Sequence, residues 1–130
     1  MAELKDPIAE AKRYLSNAKT VLREKAELKE KRYNDKKYVQ IAGDTAWKGC
    51  LIALDCVFQV SIAKGDTRVS IKNYKEAVAK RDRKLSAWVA DAYDILHLSM
   101  GYDGIRRKAI VDEGLNIAKS IIERCDTLRA

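Results

Sequence analysis

Apolar residues recur at helical spacing over long stretches of the chain, and this periodicity constrains the fold more than any other feature. Near the amino terminus they are spaced by four or three residues, in the set Leu4, Ile8, Ala11, Leu15, Ala18 and Leu22. Such a stripe covers one face of an amphipathic helix. Asp6 can cap this helix, and Pro7 suits its first turn. Beyond the stripe the sequence is highly charged, and we expect this end to project into solvent or to fray before a break at Asn34.

A second, longer helix is predicted from Lys36 to Lys64, with Asp35 as its cap and Gly65 as its stop signal. It carries a seam of mostly small residues, widened by larger apolar neighbours: Ala42, Ala46, Gly49, Ala53, Val57 and Val60, with Cys50, Leu54, Phe58 and Ile62. Small residues allow another helix to approach closely, so this helix is expected to be central. Asp44 and Lys48 are four residues apart and are expected to pair on its outer face.

Three further helices follow the connector that ends at Ser70. Ser70 can cap a short helix, with Tyr74, Ala77 and Val78 facing inward. A longer helix presents the face Leu85, Trp88, Val89, Ala92, Leu96 and Met100, with Gly101 as its expected C-cap. The last helix is expected to start near Ile105. Its stripe is Ile110, Gly114, Ile117, Ile121 and Leu128, supported by Val111, Ala118, Ile122 and Cys125.

These elements predict an all-α fold. A chain of 130 residues forms one domain, here residues 1–130, and one proline with six glycines cannot supply the turns of an all-β fold. Short loops favour antiparallel neighbours, so the predicted architecture is an up-and-down helical bundle of four main helices plus one short helix. A bundle this slender leaves apolar surface uncovered, which favours a homodimer.

Composition limits the environment and the chemistry of the protein. The formal net charge of +7 permits an acidic partner such as RNA or DNA but does not require one. The charged amino terminus lacks the apolar run of a signal peptide, and the most apolar stretch is too short to span a bilayer and contains Asp55. We therefore expect a cytoplasmic protein that does not enter membranes. The three cysteines, at positions 50, 56 and 125, have the spacing of neither a disulfide framework nor a zinc site and are expected to be reduced core residues.

His97 is the single histidine and the one candidate for catalysis. It lies at the expected margin of the buried face of the fourth helix. Asp94 precedes it by three residues and could orient the imidazole as a general base. The pair has no evident nucleophile, and a histidine-built metal site is excluded because no second histidine exists. The sequence contains no phosphate-binding glycine motif, so no metal and no cofactor is predicted.

Basic runs supply the candidate binding residues. Arg106 to Lys108 stand at the expected start of the last helix, where the helix dipole disfavours cations. This placement indicates a recruited anion or neutralisation by Asp103. Nearby tyrosines could stack on bases. The candidate binding residues are Tyr102, Asp103, Arg106, Arg107, Arg83 and Lys84.

Three segments together resemble the helical bundles of the HEPN family (higher eukaryotes and prokaryotes nucleotide-binding domains). "AEAKRYLSNAKTVL" resembles the opening helix of that family, and "AGDTAWKGCLIALDCVF" resembles its second helix. "MGYDGIRRKAIVDEGLNIAKSIIERC" is similar to its closing segment, where a Tyr-Asp-Gly turn leads into the final helix. The resemblance covers most of the chain and implies a helical bundle. Many members are metal-independent RNases in which four to six residues separate an arginine from the histidine that follows it.

That arginine is missing here. The matching positions are Ala90, Asp91 and Ala92, and Arg83 is too distant along the helix to belong to the motif. Members without the motif resemble partner-binding or nucleotide-sensing modules and are often dimeric. The sequence therefore predicts a non-catalytic, HEPN-like module that acts through self-association and macromolecular partner binding, with a nucleotidyltransferase as one candidate protein partner. Two alternatives stay open. One is a divergent RNase that uses His97 with an arginine brought near through space, and the other is a non-catalytic nucleic-acid-binding protein.

Overall fold

A computed structural model describes residues 6–58 and 70–129 of the chain. Its helices are α1 (Pro7–Lys25), α2 (Lys36–Val57), α3 (Ile71–Ala79), α4 (Arg83–Ala92) and α5 (Lys108–Arg129). Helix α4 runs directly into a π-helical segment, Tyr93–Tyr102. Two short antiparallel strands, β1 (Leu28–Lys29) and β2 (Arg32–Tyr33), lie between α1 and α2. The predicted all-α fold is confirmed: α1, α2, α4 with its π-helical extension, and α5 are the main helices, and α3 is short.

Side-chain caps determine where four of these helices begin. Each capping oxygen accepts a hydrogen bond from a backbone N–H two or three residues ahead, at Asp6, Asp35, Ser70 and Asp82. Such bonds satisfy backbone donors that a helix start leaves unpaired. The first three caps confirm the predictions. Asp82 explains why the basic run around it separates α3 from α4 instead of continuing one helix.

The main helices alternate in direction, and α2 is central. Gly49 near the end of α2 faces Ala11 near the start of α1, so these two helices are antiparallel. Gly43 comes first along α2 and contacts late residues of the π-helical segment, whereas Trp47 follows it and contacts earlier residues. The π-helical segment is therefore also antiparallel to α2. Arg124, near the end of α5, forms an ion pair with Asp82, just before α4, so α5 is antiparallel to α4. The bundle is up-and-down, as predicted.

One continuous apolar core fills the bundle. The predicted stripes of α1, α2 and α4 are buried at most of their described positions, whereas Val57, Ala77 and Trp88 are half-buried. The buried face of α5 is formed by Gly114, Leu115 and Ile121 together with the residues predicted to support the stripe. Three residues of the predicted stripe are only half-buried: Ile110, Ile117 and Leu128. The second helix is shorter than predicted, because it ends at Val57 and the backbone of Phe58 is extended. Leu4, Val60, Ile62, Lys64 and Gly65 lie outside the described residues.

The prediction for the charged end of the first helix is wrong. Helix α1 ends at Lys25, and the chain forms a β-hairpin in place of a projecting helix. Glu30 and Lys31 join the two strands with φ angles of 53° and 64°. Two consecutive positive φ values are typical of the tight turn that suits the twist of a hairpin. Backbone hydrogen bonds from Asn34 to the carbonyl groups of Ala26 and Glu27 close the hairpin at its base.

Two predicted boundaries in the following helices also need correction. Gly101 does not end the fourth helix; it lies inside the π-helical segment, and Gly104, with a φ of 67°, ends it. The glycine has this role because residues with side chains seldom adopt the left-handed conformation. Helix α5 starts at Lys108 instead of near Ile105, because the residues before it pair with the hairpin through a bridge between Arg107 and Arg32.

The cysteines behave as the sequence predicts. Cys50, Cys56 and Cys125 are free thiols; the first and last are buried and Cys56 is half-buried. Burial raises the pKa of Cys50, and it raises the pKa of Cys125 to about 12. Among the residues that the structure describes, no helix has the combined length and apolar character required to cross a bilayer.

Candidate functional site

His97 lies in the middle of the π-helical segment, and the carboxylate beside it comes from another helix. Nδ1 of His97 is 3.7 Å from Oδ1 of Asp44 in α2. The prediction that Asp94 orients His97 is wrong, because no described ion pair joins the two residues. Asp44 is the carboxylate next to the imidazole. The predicted ion pair between Asp44 and Lys48 is also not formed among the described residues. The ammonium group of Lys48 lies instead 5.9 Å from the ring centroid of Tyr14. The wider turn of a π-helix displaces side chains from α-helical positions, which is why the spacing of three residues misled the prediction.

The imidazole has one shielded and one accessible side. Nδ1 of His97 is buried and has no hydrogen-bond partner within the described part of the chain, since 3.7 Å to Asp44 is too long for a hydrogen bond. The side chain as a whole is 44% exposed. The exposure therefore comes from the other atoms of the side chain. The side chain of Asp44 is itself 60% exposed.

Two aromatic rings hold the imidazole in place. The ring centroid of Tyr93 is 5.2 Å from that of His97, and the centroid of Trp47 is 6.3 Å away. Trp47 and Tyr93 meet each other edge to face at 5.7 Å. Aromatic contacts of this kind add to the stability gained by burial. Sequence reasoning missed both rings, although the i, i+4 spacing of Tyr93 and His97 was available as a signal.

Close packing of backbone against backbone places these groups together. A Cβ atom added at Gly43 of α2 would lie 2.5 Å from the carbonyl oxygen of Leu96 and 2.5 Å from Cβ of Met100. A Cβ atom added at Gly101 would overlap the carboxylate of Asp44. Glycine at both positions is what allows α2 and the π-helical segment to touch along the line where His97 lies.

We define the α2–π face as Ile41 and Asp44 of α2 together with His97, Leu98 and Tyr102 of the π-helical segment, whose side chains all retain exposure to solvent. Ile41 is 42% exposed, Leu98 37% and Tyr102 78%. The amide of Gln40 donates a hydrogen bond to the backbone carbonyl of Tyr102, which ties the start of α2 to the end of the π-helical segment. The face combines apolar side chains with one carboxylate and one imidazole.

The structure brings some of the predicted basic residues together. The backbone N–H of Tyr33 donates to the carbonyl of Arg106, and the N–H of Lys108 donates to that of Lys31. Arg106 also reaches the carbonyl of Asn34 at 3.5 Å. Arg106 and Arg107 therefore lie beside the hairpin and ahead of α5, not in the first turn of that helix. Asp103 is exposed and closes the π-helical segment, and it forms no described ion pair with them.

The other predicted basic residues lie elsewhere. Arg83 and Lys84 open α4, so the length of that helix and its π-helical extension separates them from Tyr102, roughly 25–30 Å at the rise of a helix. The ammonium group of Lys84 lies 5.4 Å from the ring centroid of Trp88. The six candidate binding residues thus divide between two ends of the bundle and do not form one site.

The arrangement provides an imidazole, a nearby carboxylate and exposed apolar groups. No described ion pair or ring contact joins an arginine to His97. Within residues 6–58 and 70–129, no group of three or more histidine, cysteine, aspartate or glutamate side chains could hold a metal ion. The described geometry is that of an exposed surface around one histidine.

The fold defines a class, an all-α bundle of four main helices in which α4 continues as a π-helix. The chain belongs to the DUF5618 family, a domain of unknown function, whose family model matches residues 6–127. It is similar to the solved structure of a protein of unknown function from Dyadobacter fermentans, with a TM-score of 0.85 and 37% sequence identity, covering 95% of this chain and 96% of that chain. The search of curated proteins found no match. Neither matching description mentions HEPN proteins, so that resemblance stays a prediction.

Proposed function

We propose that the protein is a non-catalytic binding module that self-associates through the α2–π face and, as a dimer, binds a macromolecular partner. One observation carries this proposal. Four large hydrophobic side chains are exposed among the described residues, and three of them, Ile41, Leu98 and Tyr102, belong to this face. The two elements that carry them pack against each other, and exposed apolar side chains on neighbouring elements favour an interaction surface.

A second copy of the chain fits this face better than a nucleic acid does. Lys37 and Lys48 of α2 are exposed one helical turn from Ile41 and Asp44, but the face itself carries the Asp44 carboxylate and exposed apolar side chains, which do not neutralise phosphates. Each chain carries a formal charge of +7, so apolar contact is needed to overcome the repulsion between two copies. Dimers with twofold symmetry use the same patch on both chains, and a self-complementary apolar patch meets that requirement. The HEPN resemblance, with its frequent dimers, supports the same conclusion.

A charge placed in the face tests the proposal. Light scattering during gel filtration is expected to give twice the 14.7 kDa chain mass for the wild type. Leu98→Glu should raise the dimer dissociation constant at least tenfold, about 1.4 kcal/mol, because it buries a carboxylate in the interface. Leu28→Glu is the matched control, since Leu28 is 47% exposed but lies on the hairpin. A monomeric wild type, or equal weakening by both variants, would contradict the proposal.

A second candidate function is RNA cleavage, and the proximity of Asp44 to the shielded Nδ1 of His97 favours it. The accessible side of the imidazole could accept a proton from a ribose hydroxyl while Asp44 stabilises the resulting cation. Self-association would have to bring an arginine near, and the predicted candidates are Arg83, Arg106 and Arg107. Incubation with mixed RNA decides between the two functions. Cleavage by the wild type that disappears in His97→Ala supports the enzyme, whereas RNA that stays intact with the wild-type protein supports the binding module.

A further inference from the structure

A cavity of about 530 Å³ opens between α1, the hairpin and α5, on a different side of the molecule from the α2–π face. Pockets for small molecules typically have volumes of about 300–1,000 Å³. Its sides come from α1 and the neighbouring hairpin on one hand and from α5, far along the chain, on the other. Its volume falls within this range, and its lining residues determine which class of ligand it would accept.

The floor of the cavity is apolar. Leu22 of α1, Tyr33 of β2 and Leu115 of α5 line it, and all three side chains belong to the buried core. Leu28 of β1 stands at the wall and remains 47% exposed. An apolar ligand that contacts Leu28 would remove this side chain from water, which favours binding in proportion to the area covered.

The charges around the cavity are unevenly paired. Lys108 donates a hydrogen bond to Asp112, so these two opposite charges satisfy each other. Lys19 makes no ion pair with any described residue, and Arg23 reaches Glu24 only at 3.7 Å on the exposed surface. The unbalanced charge at the cavity is therefore positive and comes from α1.

Lys19 and Arg23 are four residues apart on α1, so both lie on the side of the helix that borders the cavity. Like charges at this spacing repel each other and weaken a helix. An anion between them would remove that repulsion and accept hydrogen bonds from both groups, because lysine and arginine each present several donors.

The hairpin that walls the cavity is held in an unusual backbone conformation. Glu27, Glu30 and Lys31 all have positive φ angles, although none is glycine. At Glu30 and Lys31 these angles are those of the tight turn that joins the two strands, and further contacts hold the hairpin in its place. Here the contacts are the backbone hydrogen bonds to the segment before α5, so the wall that carries Leu28 is anchored to the opposite side of the cavity.

We infer that this cavity binds a small amphipathic monoanion, a carboxylate or sulfonate with an aliphatic or aromatic body. The apolar body covers Leu22, Leu28 and Leu115, and the anionic group lies between Lys19 and Arg23. A neutral molecule of the same shape lacks the second interaction, and a dianion without an apolar body lacks the first.

The fluorescent aromatic sulfonate 8-anilinonaphthalene-1-sulfonate is a suitable probe, because its emission rises in apolar sites. We expect saturable binding to the folded wild-type protein, competition by decanoate and much weaker competition by 1-decanol. The double variant Lys19→Gln/Arg23→Gln should raise the dissociation constant of the probe about tenfold. The matched control, Arg83→Gln/Lys84→Gln, removes the same two charge types from the start of α4 and should leave the constant within twofold of the wild type.

A third variant, Leu28→Ser, tests the apolar contact separately and should weaken the probe severalfold without changing net charge. Circular dichroism and thermal unfolding of each variant confirm that the fold is retained, since all the altered side chains are exposed. The inference is overturned if the wild type shows no saturable binding, if decanol competes as well as decanoate, or if the two double variants weaken the probe equally.

Discussion

Replacing Gly43 by alanine perturbs the contact on which the α2–π face depends. The added Cβ atom would lie 2.5 Å from the carbonyl oxygen of Leu96, 2.5 Å from Cβ of Met100 and 2.9 Å from the backbone nitrogen of Gly101. Two of these three neighbours are backbone atoms, so no side-chain rotation relieves the overlap. The helices must separate or the π-helical segment must change its hydrogen bonding.

Two opposing terms set the size of the effect. Alanine stabilises a helix interior relative to glycine by about 0.8–1 kcal/mol. Overpacking a well-packed contact costs about 1–3 kcal/mol, and a clash with backbone belongs near the upper end. The expected net loss of unfolding free energy for Gly43→Ala is therefore about 1–2 kcal/mol, or roughly 4–8 °C in melting temperature for a domain of this size.

Thermal and urea unfolding, followed by circular dichroism, measure this loss. Gly49→Ala is the matched control, because its added Cβ would lie 3.0 Å from the carbonyl oxygen of Ala11 and 3.2 Å from Cβ of Tyr14, a tight contact without severe overlap. Its stability should stay within about 1 kcal/mol of the wild type, since the helix-propensity gain offsets the crowding. If Gly43→Ala is as stable as the wild type or more stable, the two backbones do not meet as described and the reasoning fails.

Two other predictions concern the packing around α5. Asp82→Ala should destabilise the fold by about 1–2 kcal/mol at neutral pH, because the helix cap is lost. In the folded state the backbone N–H three residues ahead, and then Arg124, lower the pKa of Asp82. The stabilisation by Asp82 is therefore present above its unfolded pKa of about 3.9 and is lost as the pH falls through the folded pKa. Urea unfolding at several pH values should show the gap between variant and wild type narrowing below about pH 4, and a gap that widens there would contradict the assignment. Cys56 should react with a thiol reagent before Cys50 and Cys125, whose burial raises their pKa values, and equally fast labelling of all three would show that the core is open.

The helices were predictable because their signals are local. Apolar residues at helical spacing and capping residues such as Asp6 and Asp35 act within a few residues of where they stand, so the sequence alone indicated them. The hairpin was not predictable in this way. Its strands are two residues each, its turn uses Glu30 and Lys31 instead of glycine, and its pairing depends on Arg107 far along the chain.

The candidate site was predictable only in part, for a related reason. His97 stood out by its chemistry, but its neighbours depend on a π-helical segment and on a helix crossing, neither of which has a local signature. The spacing of an α-helix led to Asp94 as the predicted partner. The wider turn of the π-helix and the crossing of the two helices at Gly43 instead place Asp44 and Trp47 next to His97. Contacts that arise between helices require the packing to be known first.

The central claim, self-association through the α2–π face, is tested most directly by nuclear magnetic resonance on a dilution series of the ¹⁵N-labelled protein. As dimers dissociate, the backbone amide signals of Ile41, Leu98 and Tyr102 should shift together along one binding curve, while those of Lys19 and Leu28 stay in place. Signals that do not depend on concentration, or shifts confined to the hairpin and the α1–α5 side, would contradict the account.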